Sequence, residues 1–291
     1  MHHPLGGFAA LRTIATAHVA VVIATLLGCG TPSAPQPGAL KSVATPLNEL
    51  FHDHRSAEGS QSIDIYEPID VEIRNFAGDV VLRGHHAEGG ARRGSLTLTR
   101  RAVHGRGRAD EAEASLAEIA VRTELREVMP GRFLLTIEST TSHREPWFQR
   151  VDIDLDVAQL GAVTVATSRG HVDVRESDHG CHIETTKGTC RFITRRAILE
   201  PMTIVTSDSA IEVRLPPGTT AEVDAETVGG TVYSRITAGR WLLKSRRTDG
   251  DSLHADLNGG DNRMIFRTSD ANIYFSVTER PDTAFSLIDE L

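Results

Sequence analysis

The side chains best suited to chemistry are three aspartates. In RVDIDLDV, Asp152, Asp154 and Asp156 alternate with Val151, Ile153, Leu155 and Val157. The carboxylates therefore share one face of a strand, with neighbours about 7 Å apart. Carboxylates at that spacing can flank a sugar as acid and base, or supply oxygens to calcium. A calcium loop beginning at Asp152 would need a glycine and a final glutamate where Val157 and Val163 stand. A solvated strand face fits these residues better than either site.

The histidines number 13 and are scattered. His52 with His54, His85 with His86, and His179 with His182 beside Cys181 are pairs without a third or fourth ligand at a recognisable metal spacing. No metal or cofactor is expected. Nucleophile elbow, phosphate loop, zinc-protease helix and dinucleotide fingerprint are all missing from the sequence. With 2 Trp and 3 Tyr, a platform for stacking sugars is poorly supported. A formal charge of −8, from 39 acidic and 31 basic residues, favours neither nucleic acid nor direct adhesion to anionic lipid. The chain is not expected to be an enzyme.

What positions these residues is an octet that keeps returning. It reads TSRGHVDV at Thr167, TTKGTCRF at Thr185, TSDSAIEV at Thr206, TVGGTVYS at Thr227, TDGDSLHA at Thr248 and TSDANIYF at Thr268. The intervals are 18, 21, 21, 21 and 20 residues, so one unit of about 20 residues is repeated. NFAGDVVL at Asn75 is an earlier copy with Asn in place of Thr.

Counting from each threonine, apolar residues fall at −4 and −2 and again at +5 and +7. They are Val163, Val165, Val172 and Val174 in one copy, and Met264, Phe266, Ile273 and Phe275 in another. Two short strands thus flank a corner. At +3 the corner carries Gly170, Gly188 or Gly230, or in other copies Ser209, Asp251 or Ala271, as suits an abrupt change of direction. The threonines should form a column whose hydroxyls bond the turn. The Thr248 copy is degenerate, with Lys244 and Arg246 at the inward offsets.

Units that bury their apolar faces only against their neighbours predict an all-β fold, a parallel β-solenoid of about 20-residue coils. The alternative is a β-sandwich with even strand spacing. The solenoid should span 63–280, followed by a tail at 281–291. An elaboration at 84–146 should cap one end: the spacing of Ala109, Ala112, Leu116 and Ile119 predicts a short helix, and alternation around Met129-Pro130-Gly131 predicts a hairpin.

The repeat places Cys181 at −4 and Cys190 at +5 of one copy, both inward. An oxidising compartment favours a disulfide between them, whereas strands about 10 Å apart across a flat coil favour two buried thiols.

Residues 1–28 read as a secretory signal: Arg12 precedes an apolar run from Thr13 to Leu27 that is short for a membrane span. Its end, Leu26-Leu27-Gly28-Cys29, resembles a bacterial lipobox, with Cys29 as the acylation site. Residues 29–62 then read as the acylated cysteine and a flexible linker, beginning TPSAPQPG and ending in a polar, aperiodic lead-in. Several buried acyl chains would hold such a protein on a bilayer at about 0.8 kcal/mol per methylene.

The lipobox, the strand pair ending NFAGDVVL, the interruption, and repeats from VTVATSRGHVDV to MIFRTSDANIYFSV together resemble the bacterial "putative adhesin" domain of unknown function. The resemblance spans Ile63 to Val277. It implies an envelope β-solenoid and transfers no catalytic residue. The expected function is a non-enzymatic, lipid-anchored bacterial envelope protein, periplasmic or surface-exposed. It would act as an adhesin or interaction scaffold for a protein or polysaccharide partner. A polysaccharide-active β-helix enzyme and an envelope-stress sensor are the alternatives.

Overall fold

The computed structural model describes residues 53–65, 67–85, 93–246 and 250–283. The signal segment, Cys29 and the linker up to residue 52 lie outside the described residues. Nineteen described strands form two mixed sheets that share one hydrophobic core.

The elements are, in chain order, β1 (Asp53–Ile63), β2 (Ile69–Asn75), β3 (Val80–Gly84), β4 (Gly94–His104), α1 (Ala109–Ser115), β5 (Ile119–Met129), β6 (Arg132–Thr141) and β7 (Gln149–Val157). The repeats then give β8 (Leu160–Arg169), β9 (Val172–Arg175), β10 (Cys181–Lys187), β11 (Cys190–Ile193), β12 (Met202–Thr206), β13 (Ile211–Leu215), β14 (Ala221–Val228) and β15 (Val232–Ile236). β16 (Trp241–Arg246), β17 (Ser252–Leu257), β18 (Arg263–Ser269) and β19 (Ile273–Val277) complete the described strands. The first sheet runs β1-β4-β7-β3-β9-β11-β13-β19-β15, and the second β16-β17-β14-β18-β12-β10-β8-β2-β6-β5.

The alternating apolar pattern works as the periodicity requires. In the second sheet the −2 residues Ile73, Val165, Ile183, Ile204, Phe266 and Ala225 stand in register on adjacent parallel strands, all fully buried. Facing them, the +5 residues Val80, Val172, Cys190, Ile211, Ile273 and Val232 form a matching row in the first sheet. Each fully buried aliphatic or aromatic side chain contributes about 1.5–3 kcal/mol relative to exposure.

The corner between the rows is held by the neighbouring coil. Gly170 has φ +124° and donates its N–H to Lys187 O at 2.8 Å; a Cβ added to it would lie 2.1 Å from Gly78 O. At Gly230 the requirement is close approach, because a Cβ there would meet Ala271 O at 1.9 Å. These glycines are fixed by stacking as much as by the turn.

Three expectations need correction. The stack is not parallel throughout: β1, β4 and β7 pair antiparallel at one end of the first sheet, as do β5–β6 and β14–β17–β16 at the two ends of the second. The result is two mixed, sandwich-like sheets with a parallel centre. The coils are also not stacked in sequence order, since β18 lies between β12 and β14 and Thr268 stands opposite Thr227. Burial explains the exchange. The Thr268 copy brings Met264, Phe266, Ile273 and Phe275, which lose all exposure between two neighbours, whereas the Thr227 copy has only Ala225 and Ser234 where Phe266 and Phe275 stand and sits further out. The Thr248 copy, lacking an apolar pair on its first strand, folds as the β16–β17 hairpin with Lys244 opposite Ala255 in one sheet.

The third correction concerns the lead-in. Residues 53–62, read as linker, belong to β1, which pairs along its whole length with β4. The helix and hairpin of the cap form as expected. Ala112 and Leu116 bury the inner side of α1 and of the 3₁₀ turn Leu116–Glu118, and β5–β6 turns at Gly131 with φ +74°.

Candidate interaction faces

The three aspartates do not converge on a cleft. The outward side chains of the first sheet instead pair with one another along the stack. Asp152 meets Arg101 at 2.7 Å and Arg150 at 3.6 Å, Asp154 accepts from Arg83 Nη1 at 2.6 Å, and Asp156 contacts His85 Nε2 at 2.7 Å. Further along, Arg175 bonds Asp173 at 2.9 Å, which pushes the guanidinium pKa up. Burial raises the Asp152 carboxyl above its ordinary value, and the cations Arg150 and Arg101 oppose that shift. Each of the three aspartates that the sequence singles out is thus committed to a basic partner.

The same face ends in a buried ionic group that the alternating pattern gives no hint of. Glu212 and Arg214 point outward from β13, yet they are only 1% and 5% exposed. Glu212 accepts from Arg191 Nε at 2.9 Å and from Arg214 Nε at 2.8 Å and Nη2 at 2.6 Å. The segment after β19 is brought against them: Pro281 is buried, and its carbonyl accepts from Arg214 Nη1 at 3.4 Å. Beyond this group Tyr233 and Tyr274 stack on neighbouring strands, 5.2 Å between centroids and 8° between planes.

A second missed feature lies at offset +4. There Asp79 accepts the N–H of His171 at 2.8 Å, and His171 Nδ1 accepts the N–H of Thr189 at 3.2 Å. Asn272 Oδ1 likewise accepts the N–H of Thr231 at 2.9 Å. Asp152 does the same for the N–H of Asp79 at 3.1 Å. A side-chain acceptor in one coil thus satisfies a corner amide in the next. The signal was a polar residue at the same offset in most copies, hidden because its type changes each time.

The corner residues expected from the sequence fall where the repeat puts them, and they hold the fold. Asn75, Thr167, Thr185 and Thr206 stand in one column, with Thr227 and Thr268 opposite each other further along. Thr167 and Thr185 donate to the carbonyls of Arg169 and Lys187 in their own turns at 3.3 and 3.4 Å. Thr227 and Thr268 donate instead to Ala271 and Ser209 of neighbouring coils at 2.6 and 2.8 Å. Thr206 Oγ1 is buried without a partner. Gly188 repeats the Gly170 geometry, with φ +132°. Beside this column Ala166, Ser168, Glu184, Thr186 and Val205 join Asn75, Thr167 and Thr185 in lining a shallow depression.

Cys181 and Cys190 are free thiols, each buried, one in each sheet. Burial pushes the Cys190 thiol up to about 12 and raises Cys181 well above the ordinary thiol range. Cys29, His52 and His86 lie outside the described residues. His179 pairs with Glu200 at 2.7 Å and His182 with Glu184 at 3.0 Å on exposed surface. Among the described residues no group of three or more His, Cys, Asp or Glu is arranged to hold a metal, and no helix is long and apolar enough to cross a membrane.

No protein-family profile matches the chain, and no curated protein matches it. Among solved structures it is similar to a "putative cell adhesion protein" from Clostridium sporogenes. The identity is 9%, the TM-score is 0.50, and the match covers 77% of this chain and 100% of that one. A "putative adhesin" from Bacteroides fragilis aligns over 77% of this chain and 97% of its own, at 9% identity and a TM-score of 0.25. At such identities the first likeness is one of fold alone.

Proposed function

We propose that this chain is a non-enzymatic bacterial envelope protein, tethered to a membrane through a lipid on Cys29, that uses the outward faces of its stacked strands as an adhesin or interaction scaffold. In this reading the parallel centre is a two-faced β-solenoid, closed by antiparallel strands at its ends. The observation that carries it is the outer face of the first sheet. Arg83, Asp154, Asp173 and Arg175 present paired charges across successive strands, and its aspartates are held by basic partners rather than turned into a cleft. Such a face suits a broad polar contact with another macromolecule better than the enclosure of a small substrate. The likeness in fold to the "putative cell adhesion protein" of Clostridium sporogenes supports the same reading.

The test is recovery of partners from the native envelope with the full-length chain, its Cys29→Ser form and an Arg83→Glu/Arg175→Glu form. Cys29→Ser should release the protein from membranes. The face variant should stay on the membrane, keep its folded circular dichroism spectrum and lose its partners. An unchanged set of partners in the face variant contradicts the role given to this face, and membrane retention of Cys29→Ser contradicts the tether.

A further inference from the structure

The cap end of the second sheet finishes in a strand with one neighbour. β5 pairs with β6 and, among the described residues, carries no strand on its other side. Open edges of this length invite pairing with another chain, and proteins commonly block them with a proline, a bulge or an inward-pointing charge. From Ile119 to Leu125 β5 has none of these. Its inward residues there are Ile119, Val121, Thr123 and Leu125, of which Val121 and Leu125 pack on the core while remaining partly exposed. Pairing stays regular to Glu127 and slips only between Glu127 and Met129.

The outward charges on this edge select a partner. Arg122 and Glu124 are 78% and 51% exposed, and they lie 3.3 Å apart. The regular stretch from Ile119 to Glu127 has its midpoint at Thr123. If a second copy pairs antiparallel about a two-fold axis through Thr123, Arg122 faces the second copy's Glu124, and the same contact occurs again by symmetry. Val121 then faces the second copy's Leu125, also twice, and Thr123 faces its own equivalent. Centring on Glu124 would set Arg122 against Arg126 and Glu124 against itself. Centring on Leu125 would carry Val121 to Met129, beyond the slip. The outward charges are therefore self-complementary in the register that uses the whole regular strand, and only its two ends, where Ile119 meets the second copy's exposed Glu127, are mismatched.

We propose that β5 is a self-association edge, through which two copies of this chain pair antiparallel about Thr123 and join their second sheets into one. This goes beyond the scaffold reading and does not rest on it. The test is the protein mass of the full-length chain in density-matched detergent, measured by sedimentation. The native chain should sediment as a dimer at micromolar concentration. Arg122→Glu alone sets the introduced carboxylate against Glu124 twice and should weaken the dimer by at least about tenfold. The Arg122→Glu/Glu124→Arg double variant should restore it. Far-UV circular dichroism at 25 °C should match throughout, because both side chains are exposed and the fold of each copy does not depend on them. A monomeric native chain, a dimer untouched by Arg122→Glu, or a double variant that stays monomeric would each overturn the proposal.

Discussion

The parallel centre and the antiparallel ends of this molecule are built on different rules. In the centre, register sets like against like: Ile183 lies between Val165 and Ile204, and Thr185 between Thr167 and Thr206. A corner solved once is solved for every copy, and an error in one coil is felt by its neighbour. At the ends, β4 on β7 and β5 on β6 are ordinary antiparallel pairs, and the β5–β6 turn at Gly131 has open space around it. The repeat thus specifies the interior of the stack, and individual residues specify where it stops.

Glycines make the sharpest probe of this contrast. Gly170→Ala must force a left-handed corner with a side chain 2.1 Å from Gly78 O, so it should cost about 4 kcal/mol or more in denaturant unfolding. A loss as small as that of a hairpin-turn variant would break the distinction. Next in size is the buried ionic group: Glu212→Ala leaves Arg191 and Arg214 without their shared carboxylate and should cost about 3 kcal/mol. The thiols sharpen the comparison through pH. Both are raised in the folded state, so their stabilising effect is complete below the ordinary thiol value of 9.0 and is lost as pH climbs through about 12. Between pH 8 and 10.5 the urea midpoint should fall further in the native sequence than in a Cys181→Val/Cys190→Val variant, by the equivalent of about 2 kcal/mol for each thiol. Neither thiol should be alkylated at pH 8 until the centre unfolds.

The smallest effects belong to the ends. Gly131→Ala at the β5–β6 turn places a Cβ with nothing within 4 Å, and the cost should be the left-handed conformation alone, about 1 kcal/mol. Reversing an exposed pair such as Arg122 and Glu124 should leave stability within about 0.5 kcal/mol.

The same contrast explains what could be read in advance. The offsets located the corner, the inward rows, Cys181 and Cys190, because period and burial are local properties of a strand. The order of the copies was not legible, since whether the Thr268 copy or the Thr227 copy stacks on Thr206 depends on which one carries Phe266 rather than Ala225 into the core, a choice made between distant segments. The outward residues were legible only as polar. Glu212 and Arg214 became buried because Pro281 returns across them, and the +4 acceptors Asp79, His171 and Asn272 share a role without sharing a residue type. β1 was missed for a related reason: Ser56, Ala57, Gly59 and Ser60 have no apolar alternation, and the strand exists because β4 offers it an edge.

The central claim is that the repeated corner, bonded from coil to coil, holds the molecule together while its antiparallel ends are secondary. Residue-resolved amide hydrogen exchange tests it most directly. The amides of Gly170, Ser269 and Asp270, which donate to carbonyls of adjacent coils, should exchange only through global unfolding and be the slowest in the chain. Those of β1 and β5 should exchange by local opening, faster by orders of magnitude. Corner amides that exchange as fast as those of β5 would contradict the account.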